Sequence, residues 1–312
     1  DCALLSPCYY MWSEGSYRSR LKSFFGSKAL RGKISMVPTT DYPPLFDNGH
    51  ARGTLYQLSD FVVDTVSLVE NLMAGFSDRV FQVSADQLSI EQPESGQHVH
   101  IQIKDNDRSI KITSQCTVFA AGEGNRALIK EAGLTEPEMQ TRPLHMVMLA
   151  GPSLPEGFVH CVGDDFSLTP ALTLTTHRTR GGTPVWYLGG EIAEAGVNRS
   201  SQEQIAASRT LLEQIFPWLD FQAVRWQTLL INRAEGKLAN RHRPDSVFVS
   251  TVGRLLVTWP TKFTLSPALA DEVSTSLDGL KISPRYSTDM DTLARYLPAA
   301  RIAKPPWEFF DE

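Results

Sequence analysis

A chain of 312 residues has room for one large domain or two smaller ones, and with 42% hydrophobic and 21% charged residues it can bury a full core, so global disorder is excluded. A formal net charge of −5 argues against a nucleic-acid partner: the densest basic stretch, Arg241-His242-Arg243, is short and soon followed by Asp245. No apolar run reaches the ~18–20 residues of a membrane span, and the opening Asp1-Cys2-Ala3-Leu4-Leu5-Ser6 has neither the basic flank nor the apolar length of a secretory signal.

Residues 13–29 are expected to be helical, with Tyr17, Leu21, Phe24 and Phe25 on one side. Residues 35–53 are rich in Pro, Asp, Asn and Gly and form a loop. Ser59 is the expected N-cap of a helix running to about Ala74, with Phe61, Val62, Val66, Val69, Leu72 and Met73 on its apolar face and Gly75 ending it. Short strands follow at 80–83 and 87–91, then a hairpin over 98–113 that turns at Asp105-Asn106-Asp107. The run Thr117-Val118-Phe119-Ala120-Ala121 reads as a strand buried on both faces, followed by a helix that stops at Gly133. Between 144 and 191 the chain turns strand-like, at 146–149, 159–162, 172–176 and 185–188. A helix over 201–216, stopped by Pro217, and a strand over 223–231 complete a mostly antiparallel block. Strands at 247–251 and 255–259 and a helix over 266–277, with Ser266 as cap and Pro267 at its first position, return to the earlier style. The cysteines Cys2, Cys8, Cys116 and Cys161 are scattered without metal-ligand spacing. That suits reduced thiols and a cytoplasmic protein, with no Cys2–Cys8 disulfide and no metal expected.

Two stretches carry the pattern of a ligand-binding turn. In the first, the strand at 117–121 runs into Gly122-Glu123-Gly124-Asn125 and a helix start, where glycine lets a ligand approach the backbone and helical N–H groups attract anions. In the second, Leu255 to Trp259 ends in Pro260-Thr261-Lys262-Phe263-Thr264-Leu265 and opens a helix whose N-terminal end carries partial positive charge. Each alone also describes an ordinary strand-to-helix turn or a plain capped helix.

Taken together, the two stretches resemble the FAD-dependent oxidoreductases of the D-amino-acid oxidase and glycerol-3-phosphate dehydrogenase type. In that family a strand ending like Ala120-Ala121-Gly122-Glu123-Gly124-Asn125 returns to the cofactor. A C-terminal strand-loop-helix like the one from Thr258 to Pro267 gives backbone contacts to the isoalloxazine ring. Arg243-Pro244-Asp245 fits the family's pattern ahead of the last strands, and Leu5 to Trp12 stands where the family has the loop after its first helix. The resemblance covers most of the chain. It implies a mixed α/β fold: a discontinuous Rossmann-like FAD-binding domain, 1–143 and 237–312, with an inserted, mostly antiparallel substrate domain, 144–236. It implies FAD as cofactor, held at Leu88, Ala121, Gly122, Gly124, Asn125, Pro260, Thr261, Lys262, Phe263, Thr264 and Leu265. The implied reaction is hydride transfer to the flavin from a C–H bond beside an amine or hydroxyl of a small molecule, and the resemblance leaves room for a homo-oligomer.

One departure stands out. The family opens with strand-GxGxxG-helix, the turn that holds the pyrophosphate, and the sequence contains no GxGxxG. The resemblance then implies either that those residues lie upstream of Asp1 or that the protein is a degenerate relative, acting as a scaffold. A different enzyme using the glycine turn for another phosphorylated ligand is a third reading.

Side chains for the chemistry are less marked. Arg233, Arg241 and Arg243 are candidates to hold a substrate carboxylate or phosphate, against the ordinary role of surface or ion-pairing arginines. Lys262 is a candidate to sit near the flavin, or a solvated loop lysine. His50 and His145 are candidate acid–base groups without a motif around them. Tyr9, Tyr10 and Trp12 either line the flavin pocket or pack in the core. His177 and Tyr187 fall in the antiparallel block, where strand parity alone does not decide which faces a ligand.

Overall fold

The computed structural model describes residues 3–13, 34–47, 49–92, 96, 98–162 without 106–107, 169–238, 244–284 and 290–311. In chain order its strands and helices are β1 (Leu4–Ser6), β2 (Tyr9–Ser13), β3 (Ser35–Met36), β4 (Thr54–Leu58), β5 (Val62–Val63), α1 (Thr65–Met73), β6 (Leu88–Glu91), β7 (Val99–Asp105), β8 (Arg108–Ser114), β9 (Thr117–Phe119) and α2 (Asn125–Glu131). They continue with β10 (Met139–Ala150), β11 (Phe158–Val162), β12 (Leu172–Arg178), β13 (Pro184–Gly189), α3 (Glu191–Ala195), α4 (Ser201–Ile215), β14 (Arg225–Gly236), β15 (Phe248–Val252), β16 (Leu255–Trp259), α5 (Ser266–Gly279) and α6 (Met290–Ala294).

The chain forms two compact units. The first gathers Asp1–Gly75, Pro143–Ile231 and Ile302–Glu312; the second gathers Phe76–Arg142 and Asn232–Arg301. The domains expected from sequence, 1–143 with 237–312 and 144–236, cut the chain elsewhere. The difference comes from β2. It pairs in parallel with β11, Tyr10 opposite Val159 and Trp12 opposite Cys161, and so draws the start of the chain into the antiparallel block.

The first unit is built on an eight-stranded sheet in the order β14-β10-β13-β12-β11-β2-β4-β3. Side chains alternate across it with a period of two. Along β12, Leu172, Leu174 and Thr176 are buried while Thr173, Thr175 and His177 are half-buried. Leu172 and Leu174 join Trp12, Leu55, Val147, Leu149, Trp186 and Leu188 in one core with Leu212 and Phe216 at the end of α4. That helix opens on a reciprocal cap: Ser200 Oγ accepts the Glu203 N–H, and the Glu203 carboxylate accepts the Ser200 N–H. Gln204, wholly buried, donates to the carbonyls of His145 and Ile192 and accepts from Arg199, so its amide costs little to bury.

Three expectations need correction. The helix expected from Ser59 begins only at Thr65, and its cap is Asp64, whose carboxylate accepts the Ser67 N–H at 2.8 Å. Val62 and Val63 instead pair with β1; β-branched residues suit a sheet better than a helix. Phe61 therefore lies outside the helix and is exposed. Ser266 is the first residue of α5 and not its cap, a position held by Leu265. Beyond Ser13, which ends β2, the helix expected over 13–29 lies outside the described residues. Cys8, Cys116 and Cys161 are free thiols.

In the second unit β15, β16 and β9 form one sheet and β6, β7 and β8 another. The core is Ile90, Val99, Phe119, Ile129, Leu255, Val257 and Trp259. All five residues of β16 are buried. β9, expected to be buried on both faces, buries only Phe119, while Val118 is 38% exposed and Ala120 and Ala121 are exposed. It is the edge strand of its sheet among the described residues, and apolar composition does not distinguish an edge from a centre.

Candidate cofactor and substrate sites

β9 and β16 run in parallel, Leu255 opposite Thr117 and Val257 opposite Phe119, so the turns that follow them leave from the same end of the sheet. In open α/β sheets the carboxyl ends of parallel strands are where ligands bind. Both turns named from the sequence are there, and one buried side chain ties them together. Asn125 Oδ1 accepts the Ala121 N–H at 2.8 Å, and Nδ2 donates to the carbonyls of Phe119 at 3.3 Å and Thr258 at 3.0 Å. Thr258 Oγ1 also donates to the Phe119 carbonyl, at 3.0 Å. Trp259 Nε1 donates to the Gly122 carbonyl at 2.9 Å. Asn125, Thr258 and Trp259 thus hold the two turns at a fixed spacing.

Gly122 has φ +59°, the left-handed region that favours glycine, and a Cβ there would meet nothing within 4 Å. The backbone at Gly122 is therefore open to an approaching group. Thr261 also has positive φ, +62°, and is held by Oγ1 donating to the Ser246 carbonyl at 2.9 Å. Pro260 is half-buried; Lys262, Phe263 and Thr264 are exposed, and Leu265 leads directly into the fourteen-residue helix α5. An open glycine backbone and the partial positive charge of the α5 terminus are features that an anionic group can use.

The other sequence candidates scatter. Leu88 lies on β6, opposite Ile103 and two residues from Ile90, which belongs to the core that holds β9 and β16. Arg233 lies half-buried on β14. Arg241 and Arg243 lie outside the described residues. His50 is exposed on a groove with Arg52 and Trp218 in the first unit. His145 is buried, and its Nδ1 lies 2.9 Å from the Gly196 carbonyl, the place of a structural histidine donating a hydrogen bond. Tyr10 and Trp12 belong to the core of the first unit. Sequence reasoning passed over the Arg142–Glu235 ion pair at 3.0 Å, in which the carboxylate is buried.

The sheet of the first unit settles the parity of His177 and Tyr187. Thr175 pairs with Tyr187, and Thr173, Thr175 and His177 alternate with the buried leucines of β12, so all four share the face turned away from α4. Tyr9 and His160 lie on that face too, with ring centres 4.4 Å apart. His160 Nδ1 lies 3.1 Å from Thr173 Oγ1, and His177 Nε2 lies 3.0 Å from Thr175 Oγ1. His177 stacks on Trp307 at 3.8 Å and 10°, and Tyr187 meets it edge-on. Burial pushes His177 down to about 4, opposed in part by Asp64. Burial also raises Tyr187 to about 12, and raises Tyr9, whose hydroxyl donates to the Leu174 carbonyl. The His177 imidazole and the Tyr9 and Tyr187 phenols are thus neutral near pH 7, able to pass or accept hydrogen bonds. The phase of Thr173-x-Thr175-x-His177 was the one signal in the sequence for this face. Among the described residues no group of His, Cys, Asp and Glu is placed to hold a metal ion, and no helix is long and apolar enough to cross a membrane.

A scan against protein-family profiles finds no match. A probable FAD-dependent oxidoreductase of Pseudomonas aeruginosa is 39% identical over 306 residues, covering 98% of this chain and 75% of that protein. The chain belongs to the FAD-dependent oxidoreductases. The crystal structure of an FAD-dependent oxidoreductase from the same organism superposes with a TM-score of 0.80 at 34% identity, over 100% of this chain and 77% of that one. The same fold recurs in iminodiacetate oxidase from Chelativorans sp. BNC1, with a TM-score of 0.61 at 13% identity over 95% of this chain and 76% of that one. It recurs again in L-α-glycerophosphate oxidase from Mycoplasma pneumoniae with FAD bound, with a TM-score of 0.58 at 13% identity over 88% and 74%. The fold is thus the mixed α/β architecture of these enzymes, FAD is the family's cofactor, and the enzyme reading stands over the scaffold one.

Proposed function

We propose that this FAD-dependent oxidoreductase oxidises a small molecule at a C–H bond beside an amine or a hydroxyl. The second unit holds the flavin ring at the end of the β9–β16 pair. The observation that carries this reading is the pinning of the two turns by Asn125, Thr258 and Trp259 around an open Gly122. In this reading Ala121, Gly122, Gly124 and the segment from Pro260 to Leu265 offer backbone to the cofactor, Leu88 lies toward its adenine end, and Asn125 positions the turns. Lys262 is the cation nearest to hand on the second turn. When bound, FAD supplies the hydride acceptor, and the protein binds, orients and keeps water out.

For the substrate, Tyr9, His160, His177 and Tyr187 form a polar face that orients a polar group, with the neutral His177 imidazole able to take up a proton. The neighbours support the class: one is named for iminodiacetate, an amine, and another for L-α-glycerophosphate, an alcohol. Arg233 and Arg243 remain the candidates for an anionic group on the substrate.

The test is spectroscopic. The protein saturated with FAD should absorb in the blue, and an anaerobic panel of small amines and hydroxy acids should contain a member that bleaches the band. A protein that is colourless once unbound FAD has been removed by gel filtration defeats the cofactor assignment. A bound flavin that no amine or alcohol bleaches defeats the substrate class.

A further inference from the structure

We propose that the cleft lined by Phe158, His177 and Trp307, with Asp64 and Glu156 beside them, binds a compact organic ammonium group. The cavity lies wholly within the first unit and measures about 150 Å³. A cavity of about this size elsewhere holds a benzene-sized molecule, so the space suits a group of about five or six heavy atoms. The claim stands on this cavity alone and does not require the flavin reading.

Four features select the chemistry. Two of the walls are aromatic, Trp307 and Phe158, and aromatic faces attract cations and repel anions. Two carboxylates, Asp64 and Glu156, line the cavity against one guanidinium, Arg178, whose Nη1 donates to the Gly182 carbonyl at 3.2 Å within its own hairpin. The charge balance therefore favours a cation. Thr176 also lines the cavity, but its hydroxyl is engaged, accepting the Gly157 N–H at 2.9 Å and lying 3.1 Å from the Gly157 carbonyl.

The fourth feature is His177. Its Nε2 shares a hydrogen bond with Thr175 Oγ1, and its Nδ1 has no hydrogen-bond partner among the described residues. With the proton on Nε2 donated to Thr175, Nδ1 presents a lone pair toward the cavity that an N–H of a ligand can fill in place of water. Burial keeps the ring neutral near pH 7, so it does not repel a cation. A group with positive charge, N–H donors and small apolar substituents answers all four features; a carboxylate answers none.

Dimethylammonium is the probe, titrated into the full chain by calorimetry at neutral pH, with acetate and tetramethylammonium as comparisons. Dimethylammonium should bind with 1:1 stoichiometry, acetate should not bind, and tetramethylammonium, which has the charge but no N–H, should bind more weakly. Glu156→Gln changes an exposed residue and should weaken the amine about tenfold, the scale of one charge-assisted hydrogen bond. His177→Phe keeps a ring on Trp307, removes the nitrogen, and should also weaken it. No binding, acetate binding as well as the amine, or indifference to Glu156→Gln overturns the proposal; equal binding of tetramethylammonium removes His177 from it. In the FAD-loaded protein, bleaching by a bound amine assigns it as the head of the redox substrate, and binding without bleaching assigns a separate ligand site. Failure of the flavin reading leaves the calorimetry unchanged.

Discussion

Asn125 is wholly buried and makes three of the four hydrogen bonds open to its amide, all of them to backbone of the first turn and of the ends of β9 and β16. Asn125→Ala would leave the Ala121 N–H and the Thr258 carbonyl without this partner, at an expected cost of about 2–4 kcal/mol in urea unfolding. Asn125→Asp keeps the shape and the acceptor but loses both donated bonds, so it should cost at least as much. A loss under about 1 kcal/mol would show that the turns are held by other contacts. His177 makes the second residue-scale prediction. Its ordinary value of 6.5 falls to about 4 on folding, so between those values the unfolded chain binds the extra proton. Stability should therefore fall as pH drops from 6.5 to about 4, by up to about 3 kcal/mol, and this group should add no further change above or below that window. Urea midpoints at pH 7 and pH 4.5 should differ more in the native protein than in His177→Gln. Equal differences would show that the ring is solvated.

Helix α4 shows how local sequence becomes an element. Its start is written in a Ser-x-x-Glu box and its end in Pro217, and both signals are local. Ser200→Ala should cost about 1 kcal/mol, and Ser200→Asp, which also caps, should cost much less; equal losses would place the effect elsewhere than the cap. The hairpin of β7 and β8, the strand β16 and the stop at Gly133 were legible for the same reason, since each is set by residues within a few positions. The start of α1 was not. Ser59 and Asp64 are both good caps, and what chooses between them is pairing of Val62 and Val63 with β1, nearly sixty residues away in sequence. The two turns around Gly122 and Thr261 were legible as glycine and helix-start patterns. The tie through Asn125 was not, because it depends on Phe119 lying opposite Val257. Likewise the shared face of Tyr9, His160, His177 and Tyr187 appears only when the register of β2 on β11 and of β12 on β13 is known.

At the scale of the whole molecule, the chain leaves the first unit after Gly75 and after Ile231 and returns at Pro143 and Ile302. The last return brings a short strap. Trp307 and Phe310 are buried against Met148, Ala150 and Val185, Asp311 accepts the Gly181 N–H at 2.9 Å, and Arg225 lies over the Phe310 ring at 5.3 Å. The Arg180–Glu308 pair at 3.6 Å joins an arginine in water and adds little. Packing of the two rings therefore dominates, and Trp307→Ala should cost about 3–5 kcal/mol, as for other buried aromatic truncations. The strap also forms the wall that desolvates His177, since Trp307 covers one face of the imidazole. Removing residues 305–312 should then do two things together: lower the urea midpoint, and let His177 return toward 6.5 so that the loss of stability between pH 6.5 and pH 4 disappears. Trp307→Phe keeps a ring on the imidazole and should preserve most of that pH dependence while losing a smaller part of the stability. If the truncated chain keeps the full pH dependence, His177 owes its neutral state to the sheet alone, and the strap is a packing element without influence on the polar face beneath it.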